Sequence, residues 1–326
     1  MQVLVITSRD LTKGSTQYRI AQYESMLRAH GIALDYVRRN AINGTALERM
    51  RKADLVINQK CLMRASLTRR ILAASRRTIF DFDDAIYTRS GRPYGWWTSR
   101  RVQRRLQMWL RAADAVTTAN TVLADYARRY SRVVTILPMA LDLEQWAPAP
   151  ERPAGPVTIG WIGAPVNLPN LERLEPVLTV VLDRHPGVRL AVYSGQRPRL
   201  SCRFDYVPFE PGHDARFVQQ LDIGLLPLPR DEFALGKSPI KAIQYLACGV
   251  PVVGDCIGAT TDILTPANSI AVQSDQEWID ALSALITDEP RRRELGRAGR
   301  DAAAKHHDRQ IVGTQLLQLL MGSAIG

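Results

Sequence analysis

Short apolar strand patterns alternate with helix-like stretches along this 326-residue chain, and no other feature limits the fold as strongly. Strand-like segments fall at 3–7, 33–37, 55–57, 78–80, 115–117 and 133–136, with helical patterns such as 19–29 between them. Strand and helix in regular alternation predict an α/β fold, with a parallel sheet covered by helices on both faces. Active residues in such folds collect at the carboxyl ends of the strands. The series breaks at 147–156, where four prolines in ten residues admit neither a helix nor a central strand. A second series then runs through 157–163, 189–193, 205–207, 222–228, 251–253 and 269–272, and helical patterns at 277–287, 290–305 and 308–321 close the chain. Two Rossmann-like domains are therefore expected, 1–150 and 151–307, facing each other across a cleft. Residues 308–326 are expected to form a terminal helix packing back toward the first domain.

Composition narrows the function classes. At 46% apolar residues the chain can build two real cores. No apolar run is long enough to span a bilayer, and residues 1–6 read as a first strand rather than a signal peptide, so a cytoplasmic protein is expected. Cys61, Cys202, Cys248 and Cys256 lack metal-ligand spacing and read as reduced thiols that fill space. Charge is unevenly spread. Residues 1–150 carry 25 Lys and Arg against 12 Asp and Glu, whereas 151–326 carry 18 against 20. A polyanion or acidic membrane would therefore be met by the first half.

The segment from Gly236 to Val253 carries the clearest chemistry. Gly236-Lys237-Ser238 leads through Pro239, expected at the first helical position, into a helix that stops at Gly249 before an apolar strand. Free amides at such a helix start favour an anion, which makes this a candidate phosphate site. Lys237 is the first candidate cation and Ser238 assists it, while Lys241 follows one turn later on roughly the same face. The plain alternative is that these lysines face solvent, because Gly-Lys-Ser here lacks the preceding glycines of an ATP-binding loop. Gly163 follows an apolar strand and would let the backbone approach a pyrophosphate, or it is an ordinary turn glycine. No complete Gly-x-Gly-x-x-Gly occurs, which argues against a dinucleotide dehydrogenase.

In the first half, Phe80-Asp81-Phe82-Asp83-Asp84 places three acids at a strand end. Carboxylates so close together need a cation, hydroxyls or basic groups beside them. Asp83 or Asp84 could orient a bound hydroxyl and receive its proton. Helix capping by one of them, or magnesium binding, is the alternative. His30, beside Gly31, reads as a helix C-terminal position rather than a base. From Tyr87 to Arg105, Trp96 and Trp97 are interleaved with Arg100, Arg101, Arg104 and Arg105. Contact with an acceptor or a membrane, a solvated helix with core aromatics, and nucleic acid are the three readings of that run. No compact nucleic-acid motif supports the last.

Several of these segments resemble, in order, the retaining GT-B glycosyltransferases of the family 4-like, group 1 kind. Gly14 and Arg19 resemble the family's glycine-containing first loop, residues 137–146 its interdomain segment, and Gly160-Trp161-Ile162-Gly163 the first strand and turn of its donor domain. Residues 222–228 followed by 236–253 resemble the donor-site core. The resemblance implies a hexosyltransferase-like enzyme that moves a sugar from a UDP or GDP sugar to a hydroxyl with retention, in glycan or glycolipid synthesis, without a metal or other cofactor. It implies donor contacts from Gly163, Lys237, Ser238, Pro239, Lys241 and Gln244, a catalytic role for Lys237 and acceptor contacts from Gly14 and Arg19; the residue patterns themselves add Asp83 and Asp84 as catalytic candidates and Trp97 and Arg101 as acceptor contacts. An anionic glycan or lipid-linked acceptor is the expected partner, at the inner face of the cytoplasmic membrane. Two glutamates that many members carry fall here on Gly236 and Gln244, and Met139 and Ala140 replace the usual Asn-Gly. These departures keep two alternatives open: a catalytically silent protein that binds a nucleotide sugar or anionic polymer, and a nucleotide-sugar epimerase.

Overall fold

The computed structural model describes residues 1–8, 14–149 and 155–322. Six strands form the first sheet: β1 Gln2–Thr7, β2 Ala33–Arg38, β3 Leu55–Gln59, β4 Thr78–Phe82, β5 Ala115–Thr118 and β6 Val134–Ile136. Their order is β2-β1-β3-β4-β5-β6, and every neighbouring pair is parallel. Such a sheet is buried on both faces, which suits continuous apolar runs. β1 serves both faces through its twofold side-chain period. Leu4 and Ile6 join Val56, Phe80 and Trp109 in one core, while Val3 and Val5 join Tyr23, Leu27 and Ile57 in another.

The helix Arg309–Met321 completes that second core with Val312, Leu316, Leu319 and Leu320. Each such side chain, fully buried, contributes about 1.5–3 kcal/mol relative to exposure. Arg77 donates to the Leu319 and Leu320 carbonyls at 3.1 and 3.0 Å, meeting acceptors that the helix end leaves unpaired. The helix expected over 19–29 is interrupted. Ser15–Arg19 and Glu24–Ala29 are helical, but Ile20, at φ −139°, breaks the run between them.

The second sheet contains β7 Thr158–Ile162, β8 Arg189–Ser194, β9 Asp205–Pro208, β10 Ile223–Leu226, β11 Val252–Gly254 and β12 Ser269–Ala271. It runs β12-β11-β10-β7-β8-β9, again parallel throughout. Ile159, Trp161, Leu190, Val192, Ile223 and Leu225 pack there with Leu178, Val181, Trp278 and Leu282. Tyr245, on the helix Ile240–Ala247, ties three strand backbones together: its hydroxyl accepts from the Ile162 amide at 3.1 Å and lies 3.2 Å from the Leu225 carbonyl and 3.4 Å from that of Gly160.

The chain divides into two units, one of Met1–Ala140, Asp231–Ser238 and Arg309–Gly326, the other of Leu141–Arg230 and Pro239–Asp308. Residues 150–154 of the proline-rich segment, where the sequence places a boundary, lie outside the described residues. Asp231–Ser238, expected within the second domain, groups with the first unit. Long-range hydrogen bonds supply the reason. Ser238 Oγ donates to the Asp83 carbonyl at 2.6 Å, Asn120 Nδ2 donates to the Gly236 carbonyl at 3.3 Å, and Ser90 Oγ donates to Asp231 at 2.7 Å. No helix among the described residues is long and apolar enough to cross a membrane.

Candidate functional site

In the first unit, polar side chains concentrate where β3, β4 and β5 end. Lys60 follows β3 directly and is the one non-glycine among the described residues with positive φ, at 44°. An L-residue in that region is strained and needs its surroundings to hold it. Its amide donates to the Asp81 carbonyl at 2.7 Å, and its Nζ lies 2.6 Å from Asp83 Oδ1, 2.9 Å from Asp84 Oδ2 and 2.5 Å from Ser15 Oγ. Neither Asp83 nor Asp84 caps a helix, because turns follow them and the next helix begins at Trp96. The cation that the acid cluster requires is Lys60.

The electrostatics separate the two carboxylates. Burial disfavours ionisation of both, but Lys60 outweighs it at Asp83 and holds that carboxyl below the usual range. At Asp84 burial dominates, the neighbouring Asp83 charge adds to it, and the pKa is raised despite Lys60 and Lys237. Burial likewise disfavours the Lys60 ammonium, yet the two carboxylates outweigh it and its pKa rises. The cluster thus holds one firmly ionised carboxylate beside one that takes up a proton more readily, an arrangement suited to accepting a proton from a bound hydroxyl. Lys237 lies within electrostatic reach of Asp84, and its own pKa is lowered chiefly by burial.

Arg19 has a different place from the one expected. Its guanidinium has no exposed surface; it pairs with Asp81 at 2.5 Å and donates to the Leu137 carbonyl. Asp81 also accepts from Thr117 Oγ1 at 2.7 Å. From there Arg19 fixes the first helix against β4 and has no surface with which to touch an acceptor directly. Gly14 is exposed and begins that helix at φ 59°, ψ −137°, a conformation that a side chain would strain. Trp97, 78% exposed, and Arg101, also exposed, lie on the helix Trp96–Ala112.

In the second unit, Gly163 lies just beyond β7. A Cβ built there would sit 2.4 Å from Lys241 Nζ and 2.4 Å from the Trp161 ring, so only glycine fits without displacing them. Lys241 Nζ stands 4.1 Å from the Trp161 ring centroid, a cation–π contact. The strand end therefore presents a position without a side chain beside an ammonium, with the Gly163 amide itself donating to the Tyr193 carbonyl at 3.0 Å. Gln244 is only 6% exposed. Pro239 occupies the N-cap of the helix Ile240–Ala247, one place before the first helical position expected from the sequence. The helix start is preserved, but the residues proposed for one anion site are divided: Lys237 and Ser238 group with the first unit, and Pro239, Lys241 and Gln244 with the second.

Sequence reasoning passed over a further group at the carboxyl ends of β10 and β11. Asp255 is 1% exposed; it accepts from Arg173 at 2.5 Å and from the Leu228 amide at 2.9 Å, with Arg230 at 3.8 Å. Half-exposed Arg173 and Arg230 thus stand at the same sheet edge as Gly163. A cavity of about 890 Å³ lies at the opposite edge, lined in part by Thr158, Arg189, Asp222 and Pro251, and none of the expected donor residues lines it. Among the described residues no group of three or more His, Cys, Asp or Glu could hold a metal ion.

The model of the family described as glycosyl transferase-like matches residues 175–318. The chain is 27% identical over 235 residues to a D-inositol 3-phosphate glycosyltransferase of Stackebrandtia nassauensis, covering 59% of this chain and 51% of that one. The match therefore spans about half the length of that relative. Among solved structures, a sucrose-phosphate synthase from Thermosynechococcus elongatus superposes with a TM-score of 0.72 at 14% identity, covering 98% of both chains. HepE from Anabaena, in complex with UDP and glucose, superposes with a TM-score of 0.70 at 14% identity, covering 98% of this chain and 99% of that one.

Proposed function

We propose a sugar-transfer activity on the premise that this chain is a GT-B fold protein related to the group 1, family 4-like glycosyltransferases. The donor is a nucleoside-diphosphate sugar, in UDP or GDP form, and the acceptor is a hydroxyl on an anionic glycan or lipid-linked molecule. The observation that carries the reading is the side-chain-free position of Gly163 beside the Lys241 ammonium at the end of β7; the Gly163 amide itself donates to the Tyr193 carbonyl at 3.0 Å, so the cation is the group offered to an anion. A diphosphate needs a place where no side chain keeps it from the backbone and a cation that stabilises the charge growing as the glycosidic bond breaks. From the sequence, Lys237 and Ser238 are proposed as further donor contacts, and Gln244 as the contact to the ribose.

The bond from the anomeric carbon to the phosphate oxygen breaks, the diphosphate leaves with the electron pair, and the acceptor oxygen bonds to that carbon on the face the diphosphate has left, as retention requires. The hydroxyl proton passes to the carboxylate pair, with Asp84 as receiver and Asp83 held ionised by Lys60. Gly14 and Arg19 shape the first loop, while Trp97 and Arg101 meet an anionic acceptor. Retention of anomeric configuration and a hexose as the group transferred belong to the same proposal, as does a cytoplasmic location at the inner face of the membrane.

The test is incubation with radiolabelled UDP and GDP sugars and a mixed acceptor extract. Label passing to the extract with matching release of UDP or GDP is the expected result, and the product's anomeric coupling reads the stereochemistry. Tight binding without release would favour a silent binding protein, the reading that Gly236 and Gln244 in place of glutamates keeps open. Conversion of the nucleotide sugar into its epimer without any acceptor would favour an epimerase.

A further inference from the structure

The helix Trp96–Ala112 presents two contrasting faces. Leu106, Trp109 and Leu110 are buried, and Trp109 stacks on Phe80 with ring centroids 5.7 Å apart. The outer face begins with Trp96 and Trp97, 61% and 78% exposed and packed edge to face at 4.3 Å. Arg100 lies over the Trp96 ring at 5.5 Å, and Arg101 and Arg104 are exposed beside it. In the preceding loop Arg89 and Arg92 are also exposed, with Arg89 over the Tyr94 ring at 5.9 Å. Between Asp84 and Asp114 the chain holds seven arginines and no acidic residue. Asp231 is the carboxylate that meets this loop, through Ser90 and the Gly91 amide.

We infer that this face docks on the surface of an anionic lipid bilayer, the paired indoles entering the headgroup region while the arginines neutralise lipid phosphates. Exposed tryptophan costs hydration that a headgroup layer relieves, and indole settles at that depth because one part is apolar and the N–H remains wet. Arginine keeps its charge, forks onto phosphate oxygens and lays its stem along apolar surface. A sulfated or phosphorylated polymer without bases would satisfy the arginines but gives two adjacent, mutually packed indoles no partner, and no compact nucleic-acid motif accompanies them. Lipid offers both chemistries to one short helix face. The inference deepens the membrane location proposed above and shares Trp97 and Arg101 with the acceptor contact, but vesicle binding tests it without sugar transfer, so the two can fail separately.

The test uses the full chain with vesicles containing phosphatidylglycerol and with vesicles of phosphatidylcholine alone. Co-sedimentation is expected with the first, at least about tenfold stronger than with the second, and weakening as salt is raised. Trp109, Trp146, Trp161 and Trp278 are buried, so quenching of tryptophan fluorescence by brominated lipid reads Trp96 and Trp97. Trp96→Ala/Trp97→Ala should abolish the quenching and weaken binding about tenfold, and Arg100→Glu/Arg101→Glu should weaken it at least as much, each with unchanged circular dichroism. No binding to phosphatidylglycerol vesicles would overturn the inference. So would binding without quenching, or equal affinity for heparin or RNA that ignores loss of both tryptophans, which would make the face a general polyanion surface.

Discussion

Replacing Lys60 with Met removes the one charge on which both carboxylates, Asp83 buried and Asp84 half-buried, close while keeping a side chain of similar length. Lys60 Nζ lies 2.6 Å from Asp83 and 2.9 Å from Asp84, and the three side chains are 19%, 3% and 28% exposed. Removing one partner of a buried ion pair costs about 3–5 kcal/mol, because the remaining charge is left uncompensated. Partial exposure of Lys60 and Asp84 admits water, which places the cost near the lower end, about 3 kcal/mol. For a unit of this size that lowers Tm by about 6–12 °C. The pH dependence follows from the direction of each shift. Lys60, raised, contributes in full below the unfolded lysine value and loses its contribution only as pH rises through the higher folded value. Asp83, lowered, contributes above the unfolded carboxylate value and loses it as pH falls through the folded one. Asp84, raised, acts oppositely: its ionisation costs stability above its folded value, and that cost is relieved as pH falls toward the unfolded value. Without Lys60 both carboxylates become easier to protonate, so the deficit of Lys60→Met should be greatest at neutral pH and shrink in mild acid. Scanning calorimetry at the two pH values reads this directly, and Asp84→Asn added to Lys60→Met should restore about 1 kcal/mol or more. A variant as stable as the parent, or a deficit indifferent to pH, would refute the reasoning.

Two substitutions probe the second unit. Gly163→Ala brings a methyl group into overlap with Lys241 Nζ and the fully buried Trp161 ring, so it should cost about 1–3 kcal/mol in urea unfolding and weaken nucleoside-diphosphate binding together. A fully tolerated alanine would show that the close approach is not required. Tyr245→Phe leaves the buried Ile162 amide without its acceptor, a loss of about 1–3 kcal/mol by the same measurement. An unchanged denaturation midpoint would mean that the hydroxyl adds nothing to the tie between strands.

The two sheets were legible in the sequence because each strand is a short apolar run bounded by turn residues, as at 55–57 and 222–228. Local pattern carries that information. The acids after Phe80 were also visible, since carboxylates at a strand end stand out against a basic half. Their partner Lys60 was not, because one lysine after a strand has no pattern of its own, and its role depends on β3 lying beside β4. The placement of 231–238 was hidden for the same reason: the bond from Ser238 to Asp83 spans 155 positions. Arg19 resembled a ligand-binding residue of the first loop, yet only the fold brings Asp81, 62 positions away, to occupy its guanidinium. Asp255, Arg173 and Arg230 escaped notice because they follow different strands and helices and meet only when the sheet assembles.

The proposed activity requires that the chain bind a nucleoside diphosphate, with Lys237 as one of the cations that hold it. Calorimetric titration of UDP and GDP into the parent protein and Lys237→Ala tests it most directly. The account predicts that at least one nucleotide binds the parent and that the variant binds it more weakly by about 1.5–3 kcal/mol, roughly 10- to 150-fold. Failure of both nucleotides to bind at millimolar concentration, or equal affinity in the two proteins, would contradict it.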